Sequence, residues 1–344
     1  MTYLARRLGW SAVVVWVVVS LTFAINELLP GDPARMVAGL QARPADVARI
    51  REQLGLGRPP IVRYALFLRR LVHTGPRQVR RHDPEHGTCA VVFGAGSSAL
   101  HVDFGKSFQQ RQPVVDLIAE RFPRTFALAL AAVAFQLLLG VATGVAAALW
   151  RGSRWDRALV GITVLGISLP TYLLALALQT LFARHLRLLP LDGYGNSFVQ
   201  HLRGLVLPAL ALGLYGSAYY TRLVRDEMIG VLGRDFIRTA RAKGASGARV
   251  VTAHALRNAT LPLLTAVALD FGALLGGAIV TETVFRWPGL GELSVRAALD
   301  RDGPVLLACV LVASFAVVAT NLIVDLAYAR LDPRVTDPRA RDNR

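Results

Sequence analysis

The chain has 344 residues, is 53% hydrophobic with a mean hydropathy of +0.43, and carries a formal charge of +16. Its apolar residues stand in blocks, which excludes a soluble globular enzyme. Its basic residues are spread among the connections with no soluble domain to present them, which excludes nucleic-acid binding. Cys89 and Cys309 offer no metal-ligand spacing and no disulfide framework.

Six blocks read as membrane-spanning helices, because about 18 or more apolar residues cross a bilayer's hydrocarbon core. They are 8–29, 125–150, 158–182, 205–221, 261–281 and 305–326. All 39 Lys and Arg residues lie outside them, as the cost of a charge at mid-bilayer demands. The expected fold class is an all-α integral membrane protein with six transmembrane helices.

Residues 1–29 form an N-terminal tip and the first span. Arg6-Arg7 ahead of an apolar run has the look of a secretory signal, but the run is long and no A-x-A site follows, so a retained anchor is expected. Residues 30–124 form a long loop. Within it, 44–56 and 61–72 show helical periodicity on either side of Gly57-Arg58-Pro59-Pro60, 76–102 reads as a flexible insertion rich in turn formers, and 114–122 reads as a short helix leading to Pro123. Two nucleotide-site lookalikes fail. Gly94-Ala95-Gly96-Ser97-Ser98-Ala99 lacks flanking alternating strands and helices, and Gly105-Lys106-Ser107 has Leu100 where a P-loop requires its first Gly.

The core, 125–326, holds the other five spans, and 327–344 forms a tail. Pro170 interrupts the third span and predicts a kink. The connection 222–260 is basic, with Arg225, Arg234, Arg238, Arg241, Lys243, Arg249 and Arg257. Met228, Ile229, Leu232, Phe236, Ile237 and Ala240 thread it at the spacing of an amphipathic helix. Lys243-Gly244 reads as a helix stop. Ser246 is expected to cap a second short helix, and Thr260, ahead of Leu261-Pro262, a third that enters the membrane. Small Ala240, Ala242 and Gly244 permit close approach to a partner whose acidic rim the flanking cations would pair with. The alternative is an interfacial helix resting on anionic headgroups.

Asp270 is the acidic residue near the middle of a span. Either it lines a pathway near a transported substrate, or it is a buried carboxylate bonded to a neighbouring hydroxyl or backbone group. Asn321 and Asp325 read as packing or interfacial groups. Gly272, Gly276 and Gly277 have the small-residue spacing of close helix packing.

The short loops set the orientation. With the N-terminus in the cytoplasm, the pieces 1–7, 151–157, 222–260 and 327–344 carry 18 Lys and Arg, against 6 in the outer loops 183–204 and 282–304. That bias puts both termini inside. The remaining 15 lie in 30–124, and long loops translocate largely regardless of charge. No nucleotide site, metal cluster or nucleophile–base pairing is legible, so the chain itself is expected to catalyse nothing.

With these residues in view, the chain resembles the permease subunit of an ATP-binding-cassette importer, the B-type subunit of the dipeptide, oligopeptide and nickel group. The resemblance runs nearly end to end. It is carried by Leu29-Pro30-Gly31-Asp32-Pro33, Leu54-Gly55-Leu56 through Tyr64, Asp103-Phe104-Gly105-Lys106-Ser107-Phe108 and Leu207-Pro208-Ala209-Leu210. Residues 238–262, Thr281-Glu282-Thr283-Val284-Phe285, Trp287-Pro288-Gly289-Leu290-Gly291 and 321–333 continue it.

The resemblance implies a type I ABC importer permease-like fold in a bacterial cytoplasmic (inner) membrane. It also implies a second homologous permease, two ATPase subunits that bind ATP and Mg, and an extracytoplasmic solute-binding protein, with no cofactor on this chain and no nucleic acid. The loop 222–260 would carry the so-called EAA motif and form the coupling helix that fits a cleft on the ATPase. Glu-Ala-Ala is replaced here by Arg238-Thr239-Ala240, and Leu261-Pro262 comes later than in the sugar-type version. Both departures look like the peptide subgroup's own pattern. The docking residues implied are Phe236, Arg238, Thr239, Ala240, Arg241, Ala242, Lys243, Gly244, Ala245 and His254. The implied function is import of di- or oligopeptides by alternating access, with nickel chelates or another small solute as the alternative. An ion-coupled secondary transporter is the rival from a different class, opposed by the single mid-span carboxylate and the lack of a visible repeat.

Overall fold

The computed structural model of the chain describes residues 2–28, 32–39, 41–53, 55–75, 89–93 and 99–331. The chain divides into two compact units, Met1–Pro123 with Gly289–Phe315, and Arg124–Pro288 with Ala316–Arg344.

The first unit begins with α1 (Thr2–Leu28), α2 (Pro33–Ala38), α3 (Pro44–Gln53) and α4 (Pro60–Leu71). Asp32 caps α2 by accepting from the Ala34 N–H at 3.1 Å, and Pro33 starts the helix where a missing N–H costs nothing. The two periodic stretches of the long loop are thus helices, as their patterns predict.

The stretch that follows differs from the expectation of an all-helical chain with a patternless insertion. It holds β1 (Val72–Gly75), β2 (Cys89–Phe93) and β3 (Ala99–Asp103), an antiparallel sheet in the order β1-β3-β2. The apolar end of the 61–72 pattern runs into β1, and β-branched Val72 and Val102 suit the pleat. Residues 76–88 and 94–98, including most of the Gly94–Ala99 lookalike, lie outside the described residues.

Gly105-Lys106-Ser107 has a structural role. The Ser107 hydroxyl donates to Asp302, and the Phe108 and Gln109 N–H groups donate to the same carboxylate at 3.2 and 3.3 Å. Asp302 is buried and directly precedes α14 (Gly303–Leu331). Below this turn, Val114, Leu117 and Ile118 from the start of α5 (Val114–Leu149) pack with Leu290, Leu293 and Ala297 of α13 (Leu290–Leu299) and with Val305. Arg121 pairs with the buried Glu292 at 3.1 Å on the same layer.

The second unit holds the rest of α5 and then α6 (Arg154–Ser168), capped by the Ser153 hydroxyl, which accepts from Trp155 and Asp156 N–H groups at 3.2 Å. α7 (Thr171–Leu178) continues as a π-helical turn, Gln179–His185. α8 (Phe198–Leu232) follows, then α9 (Asp235–Ala242), α10 (Gly247–Arg249), a second π segment Val250–Leu256, α11 (Arg257–Leu275) and α12 (Ile279–Val284).

All six apolar blocks fall on helices. Among the described residues, Val114–Leu149, Phe198–Leu232 and Gly303–Val324 are uninterrupted and long enough to cross a bilayer. Two bent pairs, Arg154–Ser168 with Thr171–His185 and Gly247–Ala259 with Pro262–Leu275, are long and apolar enough to count as further crossings if each pair is one span, and Gly9–Ile25 is a shorter apolar helix. The break at Pro170 is far more than a kink: α6 and α7 meet at 103°, because Pro removes an N–H and pushes Leu169 out of the helical region. The fifth block ends sooner than its composition suggests, at Leu275, where Gly276 and Gly277 close the helix and α12 begins. Leu138, Ile162, Leu165, Phe315 and Ile323 are exposed on the helix surfaces, which suits lipid and not water.

Candidate docking site

The basic connection is folded throughout. α8 runs eleven residues beyond the apolar block that ends at Thr221, so Met228 and Val231 are buried on its inner side. The single amphipathic helix expected from Met228 to Ala240 is instead two. Gly233 ends α8, and α9 starts at Asp235, an acidic residue placed favourably in a first turn.

α9 closes with a Schellman motif. The Ala245 N–H donates to the Ala240 carbonyl at 3.1 Å and the Gly244 N–H to the Arg241 carbonyl at 2.9 Å. Gly244 has φ +82°, the left-handed conformation this cap requires and glycine adopts without strain. Ser246 then caps α10, its hydroxyl accepting from the Arg249 N–H at 3.4 Å. These are the stop and restart that Lys243-Gly244 and Ser246 predict. Thr260 does not cap a third helix: α11 begins at Arg257 and runs through it, directly continuing the π segment.

One residue anchors the tip. Ile237 is fully buried and packs with Met228, Val231, Val250 and Ala255 in a continuous apolar cluster. Its neighbour Phe236, expected in the same stripe, points out and is 39% exposed. Arg238, Thr239, Arg241, Ala242, Lys243 and Gly244 are exposed as well, while Ala240, Ala245 and His254 are half-buried. The surface is therefore an aromatic side chain beside small residues, ringed by cations. The Arg238–Asp235 pair, 3.5 Å and exposed on both sides, adds little stability.

Ahead of the tip, a bidentate ion pair fastens α8 to the start of α6. Arg225, four residues past the fourth apolar block, donates from Nε to Asp156 Oδ1 at 2.7 Å and from Nη2 to Oδ2 at 2.9 Å. Asp156 precedes the third block, so both groups lie outside the membrane-spanning segments. The Arg225 guanidinium, with help from the Gly152 N–H, holds the Asp156 carboxyl well below the usual carboxylate range, at about 2.

Asp270 sits elsewhere. The Tyr220 hydroxyl donates to its Oδ2 at 3.2 Å, linking α8 to α11, and Tyr220 itself is almost completely buried. Of the two sequence-based alternatives, the neighbouring hydroxyl is present. Gly272 faces Thr320 of α14, where an added Cβ would lie 3.2 Å from the Thr320 Cβ, so the small-residue spacing there serves close packing. Asn321 is half-buried, and the side chain of Asp325 lies outside the described residues.

Sequence reasoning missed a tighter glycine pair, Gly140 and Gly144. A Cβ at Gly144 would stand 2.7 Å from the Thr221 carbonyl oxygen and 2.8 Å from the Val224 Cβ. The G-x-x-x-G spacing inside an apolar block was the available signal. It also missed the buried Glu282, which accepts from the Thr125 hydroxyl at 2.9 Å, and Trp287, whose ring N–H donates to the Arg124 carbonyl at 3.1 Å.

An apolar helical bundle ending in an ordered, exposed tip has the build of a membrane transport subunit driven by another protein. The chain belongs to the family of binding-protein-dependent transport system inner membrane components. That family matches residues 140–337, and its N-terminal membrane component matches 1–129. A Brucella abortus (strain 2308) protein named as a peptide transport system permease is 39% identical over 333 residues, spanning 96% of this chain and 97% of the relative. The glutathione transport system permease protein GsiC of Salmonella paratyphi A is 39% identical over 336 residues, spanning 97% and 99%. A solved structure of inward-facing conformations of the MetNI methionine ABC transporter covers 62% of this chain and 97% of its own, at 19% identity and a TM-score of 0.49. The chain is thus the permease subunit of an ABC importer, a transport subunit and not an enzyme. Such a component works in an inner membrane with ATPase and binding-protein partners.

Proposed function

We propose that this chain, paired with a second homologous permease, forms the translocation pathway for short peptides and couples it to two ATPase subunits through the tip 236–256. Both termini and the tip face the cytoplasm. ATP and Mg bind on the ATPase subunits, whose closure moves the tips and turns the pathway outward to receive a peptide from an extracytoplasmic binding protein. The observation that carries the docking assignment is the division of α9 between buried Ile237 and outward-facing Phe236. Ile237 and the Schellman cap hold the tip rigidly, so force applied to its outer face passes into α8 and α11. Lipid docking would favour an apolar face turned to the membrane; here the apolar face is turned inward and one aromatic is left among small residues and cations. The substrate class follows the relatives, named for peptide and for glutathione, itself a short peptide.

The test is uptake of a labelled dipeptide and of glutathione by the assembled importer in proteoliposomes, with and without ATP inside. Phe236→Asp should cost at least about tenfold in uptake, since a buried unpaired carboxylate at an interface costs several kcal/mol, while membrane insertion persists. Uptake that ignores ATP, or that Phe236→Asp leaves intact, contradicts the reading.

A further inference from the structure

Strand register assembles a cluster in the sheet β1–β3 that linear spacing does not display. Antiparallel pairing sets His73 directly opposite His101, so both project from one face. Their rings stack at 5.5 Å with 22° between planes. On the other side of β3, Val91 opposes His101 and Cys89 opposes Asp103, which puts Cys89 on the same face. The Cys89 Sγ stands 3.5 Å from His73 Nε2, and ligand atoms of all three residues lie within 4.8 Å of one another. His101 is buried; His73 and Cys89 are half-buried.

The orientation of His73 is set by the backbone. Its Nδ1 lies 3.0 Å from the Arg70 carbonyl oxygen. A carbonyl only accepts, so Nδ1 carries the proton and the Nε2 lone pair faces Cys89. Metal-binding histidines are commonly fixed in this way. Metal–ligand bonds of about 2.0–2.3 Å around a tetrahedral ion separate the ligand atoms by roughly 3.3–3.8 Å. The Cys89–His73 pair already has that separation, and His101 stacks on His73 with a ring nitrogen within 4.8 Å of both other ligand atoms.

We propose that His73, Cys89 and His101 bind one divalent ion of the zinc class, with a fourth position left for water. Two imidazoles and a thiolate suit such an ion and not Mg²⁺ or Ca²⁺, which take oxygen ligands. As the sulfur–metal bond forms, the Cys89 thiol proton leaves to solvent and no electron is transferred. The strands have four, five and five residues, a sheet too small to be stable by burial alone. An ion bridging all three strands supplies the missing cross-link. This site is independent of the transport reading.

The test uses the full chain in detergent micelles after chelation, with Co²⁺, Zn²⁺ and Mg²⁺ as probes. One equivalent of Co²⁺ should produce a thiolate-to-cobalt charge-transfer band that Zn²⁺ removes. Cys89→Ser should abolish the band, His73→Gln should weaken Co²⁺ binding at least about tenfold, and Cys309→Ser should leave it unchanged. In the unsubstituted chain, which requires no folded variant, Zn²⁺ but not Mg²⁺ should slow maleimide labelling of Cys89 by at least about tenfold. Absence of the thiolate band, a band that survives in Cys89→Ser, or labelling indifferent to Zn²⁺ overturns the proposal.

Discussion

Arg225 grips Asp156 by both carboxylate oxygens, at 2.7 and 2.9 Å, and so fastens the base of α8 to the start of α6. Asp156 is buried and Arg225 only partly exposed, so the pair is neither a solvated surface contact nor a fully dehydrated one. A bidentate guanidinium–carboxylate contact of this kind should couple by about 1–3 kcal/mol. A double-mutant cycle of Asp156→Asn and Arg225→Gln, read by chemical unfolding in detergent, measures it.

The same pair predicts a pH dependence with a definite sign. The Asp156 carboxyl is depressed from 3.8 to about 2, so its contribution is complete above the unfolded value and disappears as pH falls through the folded one. The coupling should be the same at about pH 8 and about pH 5, with loss confined to the range from 3.8 down to about 2. A coupling that fades between about pH 8 and pH 5 would mean another group titrates with the pair.

Gly144 lets α5 approach the α8 backbone at Thr221 and Val224. Gly144→Leu should therefore lower the yield of folded chain and cost about 1–3 kcal/mol through overpacking. Gly161→Leu, where an added Cβ meets nothing within 4 Å, should be near neutral. Thermal unfolding of the two variants in detergent compares them directly.

Tyr220 and Asp270 join α8 to α11. If the contact is structural, Asp270→Asn keeps an acceptor for the Tyr220 hydroxyl and should change the KM for peptide uptake by less than about twofold. Asp270→Leu should lower stability by about 1–3 kcal/mol. A large rise in KM for Asp270→Asn at unchanged stability would return Asp270 to the pathway.

What was legible in the sequence follows from where each constraint acts. The apolar helices were legible because a bilayer demands long apolar runs within one segment, and the Gly244 stop because a Schellman cap is local. The sheet was not, since β1, β2 and β3 are brought together by non-local pairing across turn-rich residues. The break at Gly233 was hidden by an apolar period that carries on from Leu232 to Ile237. The inward Ile237 and outward Phe236 are adjacent in sequence, and only the turn between α8 and α9 decides which one faces in. Thr260 has cap chemistry, yet the helix around it is already propagating and needs no start.

The left-handed φ of Gly244 changes how the tip should be probed. Gly244→Trp combines bulk with backbone strain, because any side chain is disfavoured there. Gly244→Ala carries the strain alone, about 1 kcal/mol, and should retain most ATPase co-purification. Ala242→Trp adds bulk to an exposed helical position without that strain and should abolish it. Equal retention by Ala242→Trp and Gly244→Ala would move the docking surface away from α9.

The central claim is that the exposed face of α9 seats on the ATPase. A photo-crosslinking residue at Arg241 in the assembled importer reports its neighbour most directly, with Leu299, exposed at the end of α13, as the reference position. The account predicts a covalent product between the Arg241 position and an ATPase subunit, and none from the Leu299 position. Crosslinking of the Arg241 position to lipid alone, or equal ATPase products from both positions, would contradict it.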